Sequence, residues 1–365
     1  MRVYTLQLCT IGANTSVEHL YILSGSGWAQ NSAVKGLDPP SVFIADGAKR
    51  DRNPWPGDLD VAAKSIFVSQ NINNLDALRN SLFAIIELQD PLSGYFPYAG
   101  SPLGNVFALI LSAYNSDTYH LWTIASFCEY IVRGIKATYP FTNTTTNFLH
   151  GAKTADWGRV GQGGANTALN AIYHHALTLA ACLSHTLDSN PSAASVNSEV
   201  WLAAAARVKA AVNTLLWDPA ASLYRDNTTT AGAAIRPQDG NAHAINFNVT
   251  DSAERARAVA AALAVSPFVT SQEVRAQFAA RPEDVGPAVD LVRRTWGYML
   301  EKFSATTCME GYSADGGLRY PFYGDAEGFV SHAHAWSTGP VYSLLADLMG
   351  LKAAVGVDVP DGDGD

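Results

Sequence analysis

The chain has 365 residues, of which 48% are hydrophobic and only 16% charged, with a formal net charge of -9 at neutral pH. That is enough apolar material for a large buried core, in one large domain or two ordinary ones, and an acidic balance with no basic run beyond residues 49–52 excludes nucleic acid as a partner. Uninterrupted apolar stretches such as 106–111 are far too short to cross a bilayer, so no membrane is expected either.

Taken in chain order, the periodic segments are nearly all helical and come in pairs. Residues 59–88 carry apolar side chains at three- and four-residue spacing, with a polar break at Gln70-Asn71. Segments 106–114 and 119–135 form the next pair, split by Asn115-Ser116-Asp117. Segments 165–187 and 200–216 follow, separated by 188–198, which is rich in Pro, Ser and Asn and reads as a loop. Asp251 and Glu254 have capping-box spacing before an Ala-rich run to 265, and 273–280 and 290–303 complete the series. At least nine helices, with little strand-like alternation, predict an all-α architecture of stacked hairpins. A ring of hairpins gathers its long loops at one end, and the long loops here, 90–103, 138–164, 217–241 and 305–329, hold much of the Asp, Trp, Tyr and His. Residues 1–355 are read as one domain and the Gly-rich acidic segment 356–365 as a loose tail.

The four cysteines, Cys9, Cys128, Cys182 and Cys308, are widely spread, with no C-x-x-C and no zinc spacing, and do not decide the compartment. Sequons at Asn14, Asn143, Asn227 and Asn248 are compatible with a secreted glycoprotein, although the first residues lack the features of a signal peptide.

The densest chemistry lies in residues 46–58, where Asp46, Asp51 and Asp58 alternate with Lys49, Arg50 and Arg52 around Trp55. Carboxylates brought together repel, and the interleaved cations are the counter-charges that let them coexist. Such a set suits a carbohydrate-cleaving site: one carboxyl donates a proton to a leaving oxygen, others bond sugar hydroxyls, and an indole lies against the C–H face of a pyranose.

Residues 46–58 resemble the signature of the α-L-rhamnosidases, inverting glycoside hydrolases of family 78 whose catalytic domain is a six-hairpin (α/α)6 barrel. Further stretches match that family in the same order: Tyr4-Thr5-Leu6-Gln7-Leu8-Cys9; Asp156-Trp157 followed by Asn166; Pro237-Gln238-Asp239-Gly240-Asn241; and Thr307-Cys308-Met309-Glu310 followed by the run from Ser331 to Pro340. The resemblance implies an (α/α)6 barrel that hydrolyses terminal α-L-rhamnosides with inversion, without metal or organic cofactor. It places the general acid on Asp51 and the general base on Glu310. It puts sugar contacts on Asp46, Asp58, Trp55 and His334, with Asp156 and Trp157 lining the same pocket. The arginine that precedes the acid in the family falls on Lys49 or Arg50, and we take Arg50 as the candidate. Two departures stand out: many members carry Glu where Asp51 stands, and the family's β-sandwich modules have no counterpart in this sequence.

Asp51 and Glu310 are 259 positions apart, so only a closed fold brings them to the ~6.5–9.5 Å that an inverting mechanism requires. His332 and His334 alternate as metal ligands can, but no third ligand accompanies them at suitable spacing. His174 and His175 read as packing or surface residues and Trp201, Trp217 and Trp296 as core, while Trp122 and Tyr119 fit either role. The expected partner is a small glycoside or a pectic oligosaccharide. The alternatives from the same sequence are a lectin-like barrel that binds without turnover, and a six-hairpin enzyme acting on another sugar.

Overall fold

The computed structural model of the chain describes residues 2–17, 31–48, 52–69, 75–100, 131–151, 155–156, 159–160, 163–187, 191–260, 267–313, 316–318, 320 and 330–351. It is mostly helical, as the periodicity predicts. The helices used below are α1 Arg2–Cys9, α2 Pro56–Ser69, α3 Asp76–Ile86, α4 Ile131–Thr138, α5 Thr167–Leu187, α6 Pro191–Ala211, α7 Gln238–Asn246, α8 Ala253–Ala260, α9 Pro267–Ala280 and α10 Gly286–Val292. A last run covers 335–348, opening with a tight turn at Ala335–Thr338 and ending in wider turns at Ser343–Leu348. Strands are short antiparallel pairs, such as β1 Thr10–Gly12 against β2 Val42–Ile44 with Thr10 opposite Ile44.

The architecture is an (α/α)6 barrel. Helices α2, α5, α7, α9 and the 335–348 run pack against one another as an inner ring, and α5 pairs with α6 outside it, as α9 does with α8 and α10. Composition explains which helices lie inside. Ala168, Leu169, Ala171, Ile172, Tyr173, Ala176, Leu177, Ala180 and Ala181 of α5 are all buried, so that helix is apolar over more than one face. By contrast α6, on the outside, exposes Val200 and Leu202. Small residues set the closest approaches: a side chain added at Gly339 would collide with Ser271 of α9. Trp201 and Trp296 are fully enclosed, their indole N–H groups donating to Tyr139 Oη at 3.2 Å and Ser337 O at 2.7 Å.

The inner helices start at the same end. Asn166 caps α5, its Oδ1 accepting the Leu169 N–H at 2.7 Å, and the motifs at 46–58, 237–241 and 331–340 run across the starts of α2, α7 and the 335–348 run. Two sequence expectations are corrected. Residues 188–198 are not simply a loop, because α6 begins at Pro191, where a missing N–H and a fixed φ suit the first helical position. The cap of α8 is Ser252, whose Oγ accepts the Arg255 N–H at 3.1 Å, while Asp251 instead pairs with the Arg255 guanidinium at 2.9 Å. The expected pair at 106–114 and 119–135 lies outside the described residues except for the start of α4, and so do Trp122, Tyr119 and Cys128.

His175 and His243 stack on Phe247 with centroids 4.2 and 5.3 Å away and planes within 10° and 9°. Burial pushes His174, His175 and His243 down to about 4, 3 and 4, with Lys209 adding to the effect at His174 and Lys64 at His175. The unfolded chain takes up these protons near pH 6.5, whereas the folded chain resists until about pH 4. The stabilisation is therefore complete above pH ~6.5 and is lost as pH falls. We expect the melting temperature to drop by several degrees between pH 7 and pH 5, and His243→Gln to flatten that slope; equal slopes for the two proteins would contradict the assignment.

Candidate active site

Three extended segments lie side by side at the end where the inner helices begin. The central one is 331–335. On one side Ala48 N–H donates to Ala333 O at 3.0 Å and Ala335 N–H to Asp46 O at 2.7 Å, pairing Gly47 with His334. On the other, His334 N–H donates to Cys308 O at 3.0 Å and Glu310 N–H to Ser331 O at 2.8 Å. The first motif and the last two are thus joined by main-chain hydrogen bonds, which satisfy backbone groups that burial would otherwise penalise. Side-chain size matters at the junction: a Cβ on Gly47 would meet Ser331 Oγ at 2.8 Å and His334 Cδ2 at 3.3 Å.

His334 projects between two carboxylates. Its Nδ1 is 3.3 Å from Asp58 Oδ1 and its Nε2 is 3.8 Å from Glu310 Oε1, and all three residues are buried. Asp58 sits in the first turn of α2, where the positive end of the helix dipole favours a carboxylate. The Ser331 N–H donates to Glu310 Oε2 at 2.8 Å, which turns Oε1 toward His334. Trp336 supports the pair from behind: its indole N–H donates to Glu310 O at 3.0 Å, and its ring lies 4.2 Å from the imidazole. His332, two residues earlier, is exposed, although strict alternation would place it on the same face as His334. Among the described residues, no group of three or more His, Cys, Asp or Glu side chains stands together as a metal cage would require.

Asp46 is buried beside this group and closes its own loop, its N–H donating to Asn53 O at 3.0 Å and its Oδ1 accepting the Asn53 N–H at 3.2 Å. Ser16 holds Asn53 in turn, its hydroxyl donating to Asn53 Oδ1 at 2.9 Å. Arg52 has a left-handed φ of 48° and supplies the expected counter-charge: burial lowers its pKa, and the nearby Asp46 carboxylate opposes that shift. Trp55, half-buried, precedes α2 and packs at 5.0 Å against Tyr98, with ring planes at 56°. Beneath the carboxylates lies Cys9 of α1, whose Sγ–H points to Ala333 O at 3.5 Å. Burial first, then Asp46, Asp58 and Cys308, push its thiol well above the usual range, so it stays neutral.

The structure therefore brings Asp46, Asp58, Glu310 and His334 together. Trp55 sits between Asp46 and Asp58 in the chain, at the entry to α2. Asp156 lies in the short strand Ala155–Asp156, opposite Arg159. Asp51, Arg50, Lys49 and Trp157 lie outside the described residues. Sequence reasoning missed the supporting roles of Ser331, Trp336, Asn53 and Cys9, although all four fall inside the motifs.

No protein-family model matches the chain, and no curated protein matches its sequence. Solved structures do. A rhamnosidase of glycoside hydrolase family 78 from Bacillus sp. GL1 superposes with a TM-score of 0.62 at 19% identity, over 83% of this chain and 33% of that one. A rhamnosidase from Klebsiella oxytoca with rhamnose bound gives 0.63 at 17% identity, over 85% and 60%. A mannosidase of glycoside hydrolase family 76 from Bacteroides thetaiotaomicron gives 0.55 at 10% identity, over 96% and 97%. The chain thus spans about a third and three-fifths of the two rhamnosidases it resembles. These likenesses establish that its fold is the one shared by six-hairpin glycoside hydrolases.

Proposed function

We propose that the chain is a glycoside hydrolase that removes terminal α-L-rhamnosyl residues with inversion of configuration. The observation that carries this reading is the buried Asp58–His334–Glu310 contact at the loop end of an (α/α)6 barrel. In the proposed reaction Glu310 takes a proton from water as that water attacks the anomeric carbon. Asp51, from the opposite face, protonates the departing glycosidic oxygen. Positive charge developing on the ring is stabilised by Asp46 and Asp58, beside which stand Arg52 and His334 respectively. Arg50, Trp55, Asp156, Trp157 and His334 complete the sugar contacts, and the substrate is a glycoside or a pectic oligosaccharide. The sequons support action outside the cell.

A second reading has one observation in its favour. The family 76 mannosidase matches this chain over nearly the whole length of both, which fits a glycosidase of the same barrel acting on a mannoside. A panel of chromogenic α-L-rhamnoside, α-mannoside and β-glucoside separates the two: release from the rhamnoside alone supports the first reading, and release from the mannoside alone replaces it.

On the cleaved substrate, Glu310→Gln and Asp51→Asn should each lower kcat by ~10²–10⁴-fold, with nuclear magnetic resonance showing the inverted anomer as first product from the wild type. Wild-type turnover in either variant would remove that residue from its role. Gly47→Ala should lower kcat about tenfold or more by displacing Ser331 and His334, while costing only a few degrees in melting temperature. Unchanged kcat would mean that the Gly47 junction does not position the base.

A further inference from the structure

Below the carboxylates, the barrel interior carries a second polar group that the proposed reaction does not use. Lys64 is the ninth residue of α2, His175 the ninth of α5, Asn246 the ninth of α7 and Arg275 the ninth of α9; Tyr342 is the eighth of the 335–348 run. Helices that start together put such positions at one height, so five inner elements contribute to one layer across the barrel. Lys64 lies six positions beyond Asp58 in α2, which puts the layer ~9 Å below the site along that helix.

The layer is cross-linked. Lys64 Nζ donates to Asp60 O at 3.0 Å and to Asp60 Oδ1. Gln272 Nε2 donates to Asp60 Oδ2 at 2.9 Å, while Gln272 O and Oε1 accept from Asn246 Nδ2 at 2.9 and 3.2 Å. Asp60 is thereby saturated and held down at about 2: burial alone would raise it, but Lys64 and Arg275 overcome that effect.

Arg275 is treated differently. Its guanidinium makes one long hydrogen bond, Nη1 to Gln272 Oε1 at 3.4 Å, and lies 5.5 Å over the Tyr342 ring. Among the described residues no carboxylate stands within ion-pair distance of it. Glu273, the nearest acid along α9, is buried and accepts from Gln238 at 2.6 Å. The layer thus holds two cations against one carboxylate, with the neighbouring histidines held neutral. A guanidinium presents five donors in a planar fork that matches an oxyanion, and a partly buried cation that shares a single carboxylate, Asp60, with a second cation is incompletely balanced.

We propose that this layer is a binding site for one small oxyanion, seated between the Arg275 guanidinium and Lys64 Nζ. Its occupant would neutralise the surplus charge and tie α2 to α9. Titration calorimetry on the wild-type chain in zwitterionic buffer, with sodium phosphate and separately sodium acetate as probes, tests it directly. Saturable one-to-one binding of either anion is expected; phosphate alone points to an inorganic ligand, and acetate as well admits carboxylates. Arg275→Gln should weaken binding at least tenfold. Asp60→Asn, which releases Lys64 from its partner, should tighten it severalfold, an effect that a merely structural ion pair would not produce. Absence of saturable binding by the wild type overturns the proposal, as does unchanged affinity in Arg275→Gln or in Lys64→Met, each checked for helical content by circular dichroism.

Discussion

The main-chain pairing of Gly47 with His334 is the contact on which the described site depends. It places residues from the beginning and end of the chain in one small sheet-like patch, with 308–310 on its far side. Asp46 is fixed by its carbonyl, Glu310 by its N–H and His334 by both neighbours. Side-chain positions are thus inherited from backbone hydrogen bonds, whose directionality tolerates little drift. Glycine at position 47 is the steric condition for this, since any side chain there would enter the space of Ser331.

A second constraint is charge. Asp46, Asp58 and Glu310 are all withdrawn from water, which would be untenable for isolated carboxylates. Each is compensated differently: Asp46 by Arg52 and the Asn53 amide, Asp58 by a helix start and His334, Glu310 by the Ser331 amide. Only part of this compensation comes from full charges; the rest is oriented dipoles, which need no counter-ion and do not reorganise during a reaction. The lower layer uses the opposite device, direct ionic contact between Lys64 and Asp60.

Much of this was legible in the sequence because the informative residues are close together there. Paired helical periodicities gave the hairpins, and the charge density of 46–58 marked the loop before α2. Short motifs located Glu310 and His334 because each is embedded in residues that build its support. The start of α6 was misread because Pro191 and its Ser and Asn neighbours carry the composition of a loop, yet a first helical turn accepts them. The Lys64–Asp60–Gln272–Arg275 layer could not be read at all. Its members are spread over more than 200 positions, and each alone resembles a polar residue on the solvated face of a helix; only the closure of the ring turns those faces inward.

Because Asp46 and Glu310 are separated by 264 positions, the two halves of the site leave the ribosome at different times. At ~5–20 residues per second the second half follows the first by roughly 13–53 s. During that interval the 46–48 segment has no partner strand and the Asp58 carboxylate has no imidazole. Folding that depends on such distant contacts is slow. A chain ending before residue 334 therefore cannot assemble the Asp58–His334–Glu310 group.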